Sequence, residues 1–118
     1  MSTLRVNTLQ TQAGVEVYTA KAWVNFNGTG TVAIRAAGNV SSITDNGTGD
    51  YTVNFTVAMV DANYSAVAVG GDGAIGAGSF NRCGNVGSYL TTSCRVFTGV
   101  PASAIAVDVS FITASVFR

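Results

Sequence analysis

Lys21-Ala22-Trp23-Val24-Asn25-Phe26-Asn27-Gly28-Thr29-Gly30-Thr31-Val32-Ala33-Ile34-Arg35 is the stretch that decides the fold. Its apolar residues recur at a spacing near two and sustain no stripe at i, i+3, i+4 and i+7, which is the pattern of strands and not of a helix. The same spacing continues at Tyr51, Val53 and Phe55 among Thr and Asn. Because successive strand residues point to opposite faces, Tyr51, Val53 and Phe55 share a buried face. Trp23, Phe26 and Ile34 are likewise expected in the core, Trp23 and Phe26 as core aromatics and not as an exposed sugar-stacking platform.

Working outward, turn chemistry falls where hairpins need it, at Asn27-Gly28, Asp45-Asn46-Gly47 and Thr48-Gly49-Asp50. Asn-Gly supplies positive φ at little steric cost. The periodicity predicts strands near residues 3–8, 15–18, 21–27, 31–36, 39–44, 50–56, 63–70, 93–98 and 104–115. In the last of these, Ile105, Val107, Val109 and Phe111 alternate against Ala106, Asp108, Ser110 and Ile112, and the first set is expected inward. Residues 70–87 are glycine-rich with few large apolar residues and are expected to form a long loop or a pair of loops. The fold class is therefore all-β, a β-sandwich or jelly-roll-like domain over 21–118. Residues 1–20 form a short N-terminal arm or coupling segment, too short to bury a face of its own.

The chain of 118 residues is 47% hydrophobic but only 10% charged, well below the roughly 25% charge usual for soluble domains. Asn, Thr, Ser and Gly supply part of the solubility, and burial of apolar surface against sister subunits supplies the rest. Six basic and six acidic residues cancel, which argues against a nucleic-acid backbone as partner. No apolar run approaches the roughly 20 residues of a membrane helix, and the opening Met1-Ser2-Thr3-Leu4-Arg5 does not lead into a signal-peptide core. Synthesis and use without export are expected. In that compartment Cys83 and Cys94 are expected as two reduced, partly buried thiols, with a disulfide as the alternative.

Chemistry-bearing motifs are sparse. With no histidine in the chain, a Cys/His zinc site is excluded and no imidazole activates a nucleophile. Gly71-Asp72-Gly73-Ala74-Ile75-Gly76 is formally GxGxxG, but Gly78, Asn81, Gly84, Asn85 and Gly87 break the helix such a turn must open, and no acidic residue follows about 20 positions on. Asp45-Asn46-Gly47-Thr48-Gly49-Asp50 has glycines where a calcium loop requires Asp or Asn ligands, so it reads as a hairpin turn. The six carboxylates, Glu16, Asp45, Asp50, Asp61, Asp72 and Asp108, offer poor material for a glycosidase pair. No catalytic residue, cofactor or metal site is expected.

Residues 21–35, continuing through Asn39-Val40-Ser41-Ser42-Ile43-Thr44-Asp45-Asn46-Gly47-Thr48-Gly49-Asp50-Tyr51-Thr52-Val53-Asn54-Phe55, resemble a module recurrent in bacteriophage tail-fibre and related virion proteins. The opening Leu4-Arg5-Val6-Asn7-Thr8-Leu9-Gln10 resembles the start of many fibre polypeptides, where the consensus has Val-Asp-Thr-Ile; Asn7 and Leu9 depart from it. The resemblance implies a virion protein made in the bacterial cytoplasm, commonly trimeric, with its N-terminal part toward the particle.

The expected function is therefore structural, a short tail fibre or fibre-like appendage. A receptor-binding tip and a capsid-surface decoration protein are the alternatives. Leu4, Val6 and Leu9 are the candidate virion-docking residues, and other virion proteins are expected to bind through 1–20. Asp72, Ile75, Phe80, Asn81 and Arg82, with the loop at 98–103, are the candidates for contact with a host glycan or protein. Identical subunits are the expected partners, with neither nucleic acid nor membrane insertion.

Overall fold

The computed structural model describes residues 3, 5, 7–15, 17–73 and 82–118. Nine strands and no helix are present among them: β1 Ala20–Asn27, β2 Ala33–Gly38, β3 Val40–Gly47, β4 Asp50–Phe55, β5 Ser65–Gly71, β6 Cys83–Gly87, β7 Ser93–Val100, β8 Ile105–Ala106 and β9 Phe111–Phe117. Every pairing is antiparallel. One sheet has the order β2-β1-β9-β5; the other has β3-β4-β7-β6, with β8 added on β7. The protein is a two-layer sandwich, as alternating apolar and polar residues require when each sheet buries one face.

Between the layers lie Val24 and Phe26 of β1, Tyr51, Val53 and Phe55 of β4, Cys94 and Val96 of β7, and Ile112, Ala114 and Val116 of β9. Phe26 and Tyr51 meet edge to face at 5.3 Å, and Phe55 meets Tyr64 the same way at 5.9 Å. Such pairs add roughly 0.5–1.5 kcal/mol beyond their buried area. Tyr51 is the best-anchored residue of the core. Its hydroxyl lies 2.8 Å from the Gly28 carbonyl and 2.7 Å from Asp108 Oδ1, and the same carboxylate oxygen accepts the Gly49 N–H at 2.8 Å. Three connections are thereby tied together through the Tyr51–Asp108 pair. Among the described residues no buried side-chain nitrogen or oxygen lacks a partner.

Several expectations are corrected. Trp23 differs in parity from Val24 and Phe26, so it stands on the outer face and is 44% exposed. Ile34 lies on the edge strand β2, where no residue is fully buried, and is 38% exposed. The expected strand over 104–115 is two strands in different sheets, with the chain crossing between layers at 107–110. That crossing resets the alternation: Ile112 is fully buried, whereas Phe111 and Ile105 are exposed, and of the set expected inward only Val109 is buried. The expected loop over 70–87 contains β6, which pairs with β7. Gly84 reads as a breaker in sequence, yet it is needed because a Cβ there would come within 2.8 Å of the Ala68 carbonyl oxygen.

The strands expected at 3–8 and 15–18 are not formed among the described residues there. Leu9 and Val17 instead close a small turn, Val17 N–H donating to the Leu9 carbonyl at 2.6 Å, with Gly14 at φ 82°. The Asn27-Gly28 turn also works differently from the expectation. Gly28 does not take positive φ; Gly30 does, at 58°, while the Asn27 side chain accepts the Thr29 N–H at 3.0 Å. Gly28 is small because Ile112, Tyr51 and the Val109 carbonyl crowd it.

Candidate functional site

Two sheets back to back leave two outer faces, and they differ in chemistry. Outside β4 and β7, side chains satisfy one another in a polar ladder. The Asn54 amide donates to Ser42 Oγ at 3.1 Å and Thr44 Oγ1 at 3.0 Å, and Asn46 donates to Thr52 Oγ1 at 2.7 Å. Arg95 pairs through two nitrogens with the carboxylate of Asp50, and its guanidinium lies 5.2 Å from the ring of Phe97. Beside Phe97, β6, β7 and the turn at 101–104 border an open groove of about 360 Å³ that includes Asn85, Cys83 and Ile105.

The opposite face exposes large apolar side chains among polar ones, with Lys21 exposed near its β1 end. Register places Val67 of β5, Ser115 of β9 and Trp23 of β1 in one row, and Val69, Thr113 and Asn25 in the next. Phe111 and Phe117 stand at the two ends of β9. Val67 and Val69 are 59% and 64% exposed, and Phe117 and Phe111 are 43% and 38% exposed. The one guanidinium here, Arg35, is occupied: it lies 3.8 Å over the Phe111 ring and donates to the Ser110 carbonyl at 2.7 Å and to Asn25 Oδ1 at 3.2 Å. A cation stacked on an aromatic ring leaves a face with little unpaired charge.

Of the residues singled out in sequence, Leu9 is exposed, and Leu4 and Val6 lie outside the described residues. Asp72 follows β5 directly and Arg82 precedes β6 directly, whereas Ile75, Phe80 and Asn81 lie outside the described residues. Thr98, expected in an exposed loop, is buried in β7 and donates to the Val107 carbonyl at 2.7 Å; the exposed turn is 101–104. Sequence reasoning missed both outer faces, since Val67, Val69 and Phe117 become neighbours of Trp23 only through the β1-β9-β5 pairing.

Asp45 and Asp50, the two carboxylates of the β3–β4 turn, are engaged by the Gly47 N–H at 3.0 Å and by Arg95. Among the described residues no group of three His, Cys, Asp or Glu side chains forms a metal cluster, and no helix is long and apolar enough to cross a membrane. Arg118 holds the Asp61 carboxyl down to about 2, and the two form an ion pair at 2.8 Å.

The cysteines are not bridged: Cys83 is exposed, correcting the expectation of partial burial for both, and Cys94 is buried. Burial pushes the Cys94 thiol up to about 11. Ellman's reagent at pH 8 should therefore titrate one thiol rapidly in the native protein and the second only after denaturation. A buried thiol stabilises the fold while it stays protonated. Its contribution is complete below the ordinary thiol range and is lost as pH rises through about 11, so urea midpoints should fall over that alkaline interval and Cys94→Ala should flatten the fall. Two fast native thiols would contradict the packing of β7.

Comparison with protein-family models, with curated protein sequences and with solved structures finds no match.

Proposed function

We propose that this protein is a homo-oligomeric structural component of a bacteriophage virion, a short tail fibre or fibre-like appendage, with a trimer as the favoured assembly. The observation that supports it best is the division of labour between the outer faces. One face exposes Trp23, Val67, Val69, Phe111 and Phe117 among a few polar residues and is suited to contact with copies of itself, and the other is a self-satisfied polar ladder suited to solvent. A chain with so little charge gains solubility by covering the first face and exposing the second. Residues 21–55, which carry the resemblance to fibre modules, supply β1 to β4, two of the four strands of one sheet and two of the five of the other. Residues 1–20 act as an arm toward the particle and neighbouring chains, with Leu4, Val6 and Leu9 as docking residues.

A receptor-binding tip is the second reading, favoured by the exposed Phe97 beside the Asn85 groove: an aromatic ring with an amide beside it suits a sugar ring. Cryo-electron microscopy of particles carrying the protein tests both readings. Density for several copies at a tail fibre or appendage supports the structural reading, with host-facing Phe97 at a distal tip favouring the second. Particles that lack the protein would overturn both.

A further inference from the structure

The N-terminal residues and the apolar face pose one problem twice over. Every described residue from 7 to 20 is exposed, so this segment leaves much of its apolar surface to solvent. It carries Leu9, Val15, Val17 and Tyr18, which are 45%, 62%, 38% and 80% exposed. A two-legged turn of this size has no independent stability in water and holds its shape only against another surface. The outer face of β2-β1-β9-β5 is such a surface, and it too is uncovered on its own chain. Charge is sparse on both, with Lys21 and Arg35 on the face and Glu16 within the turn sequence, so no accumulation of like charge opposes their contact.

Size decides between a bare face-to-face contact and one that includes the segment. Four strands of about seven residues present a face roughly 19 Å by 23 Å, about 440 Å² in flat projection. A stable interface covers about 800 Å² on each partner. The flat projection leaves little margin against that accessible area even when side-chain relief is added, and the N-terminal segment is apolar surface available to enlarge the contact. Val17, Tyr18 and Thr19 already border a groove with Phe117 and Arg118, so segment and face are continuous at the Phe117 corner.

We infer that the turn formed by residues 9–15 and 17–18 of one copy seats on the outer β2-β1-β9-β5 face of a second copy, packing Val15, Val17 and Tyr18 against Trp23, Val67, Val69 and Phe117, with Leu9 left at its particle-facing end. The contact joins different surfaces of the two partners, so it is made either reciprocally across a two-fold axis or head-to-tail, and the head-to-tail form closes into a ring such as a trimer when the rotation permits. The inference rests on the oligomeric part of the proposed function and names where its contacts lie.

Sedimentation equilibrium of the full chain tests it, comparing the wild type with Val67→Asp/Val69→Asp on the face and Val15→Asp/Val17→Asp in the turn. The wild type is expected at a multiple of 12.0 kDa, and each double variant at 12.0 kDa with an unchanged circular dichroism spectrum. Val67→Thr/Val69→Thr keeps the strand propensity of the face while removing apolar surface, and should weaken association by about tenfold or more. Should an Asp variant fail to fold, the Thr pair carries the test of the face and Val15→Thr/Val17→Thr that of the turn. A wild-type oligomer that neither pair weakens overturns this inference and leaves the virion reading standing. Dissociation by the face pair alone also overturns it, since something other than the turn then covers the face. A wild type at 12.0 kDa overturns both it and the oligomeric reading.

Discussion

Val53→Asp should leave no folded protein, while Ile34→Asp should fold almost as the wild type does. Val53 is 1% exposed and sits mid-strand in β4, paired with Ile43 of β3 on one side and Cys94 of β7 on the other. The buried cluster around it is apolar and contains no cation. An unpaired carboxylate there costs several kcal/mol even after relaxation, against a total stability of about 5–15 kcal/mol for a domain. Ile34 is 38% exposed on an edge strand, where a charge is tolerated and discourages stray strand pairing. Its replacement should change stability by about 1 kcal/mol or less. Solubility and thermal melts of the two variants decide the matter: equal damage would place β2 inside the sandwich, and a folded Val53→Asp would refute the register of β4.

That pair also shows where sequence stops being informative. Alternation within one strand is legible, since it is set by the two-residue repeat of the backbone, and Tyr51, Val53 and Phe55 are buried on one face as their spacing predicts. Alternation says nothing about whether a strand lies at a sheet centre or an edge, and Ile34 owes its exposure to the edge. Nor does it survive a crossing between layers. Ile105 to Phe111 read as one face, but residues 107–110 carry the chain from one sheet to the other, and Ile112 becomes the buried residue. Gly84 misleads for a third reason: glycine marks close backbone approach as readily as it marks a loop, and only the tertiary position of Ala68 distinguishes the two.

The outer faces were the least legible part of all. The apolar face is assembled from β1, β5 and β9, strands separated by long stretches of chain, and its rows exist only in the pairing register. The low charge content raised the expectation of exposed apolar side chains, an argument that depends on composition alone, and Trp23, Val67, Val69 and Phe117 are exposed. It could not say which residues form the surface. Trp23 illustrates the difference: parity opposite to that of Val24 and Phe26 sends it outward, and its position over Gly38 and beside Ser115 makes it part of a face and not of the core.

Gly49→Ala is expected to be the most damaging of the conservative substitutions. Gly49 has φ 64°, a conformation that costs an L-residue roughly 1–2 kcal/mol. The turn it forms is also gripped from three sides: Gly49 N–H donates to Asp108 Oδ1 at 2.8 Å, its carbonyl accepts the Thr98 N–H at 2.9 Å, and the Thr98 carbonyl in turn accepts the Val107 N–H at 3.1 Å. A methyl group at Gly49 would collide with the Thr98 carbonyl oxygen and stand 2.9 Å from Val107 N, both of them backbone atoms that no side-chain rotation can move. Gly30 separates strain from collision, since it has φ 58° and open space for at least 4 Å around the place a methyl group would take. Gly30→Ala should lose about 1 kcal/mol, the conformational part alone. Gly49→Ala should lose about 3 kcal/mol or more, lowering the melting temperature by roughly 10 °C or more for a domain of this size. Because the collision pushes apart the Gly49, Thr98 and Val107 backbones, the hydrogen bonds joining the β3–β4 turn to β7 and to the 107–110 crossing should open first. Amide hydrogen exchange in the variant should then accelerate at Gly49, Thr98 and Val107 before it does at Val53 or Ile112. Equal losses from the two alanines would mean that the turn does not rest on β7, and that Asp108 does not tie the three connections together.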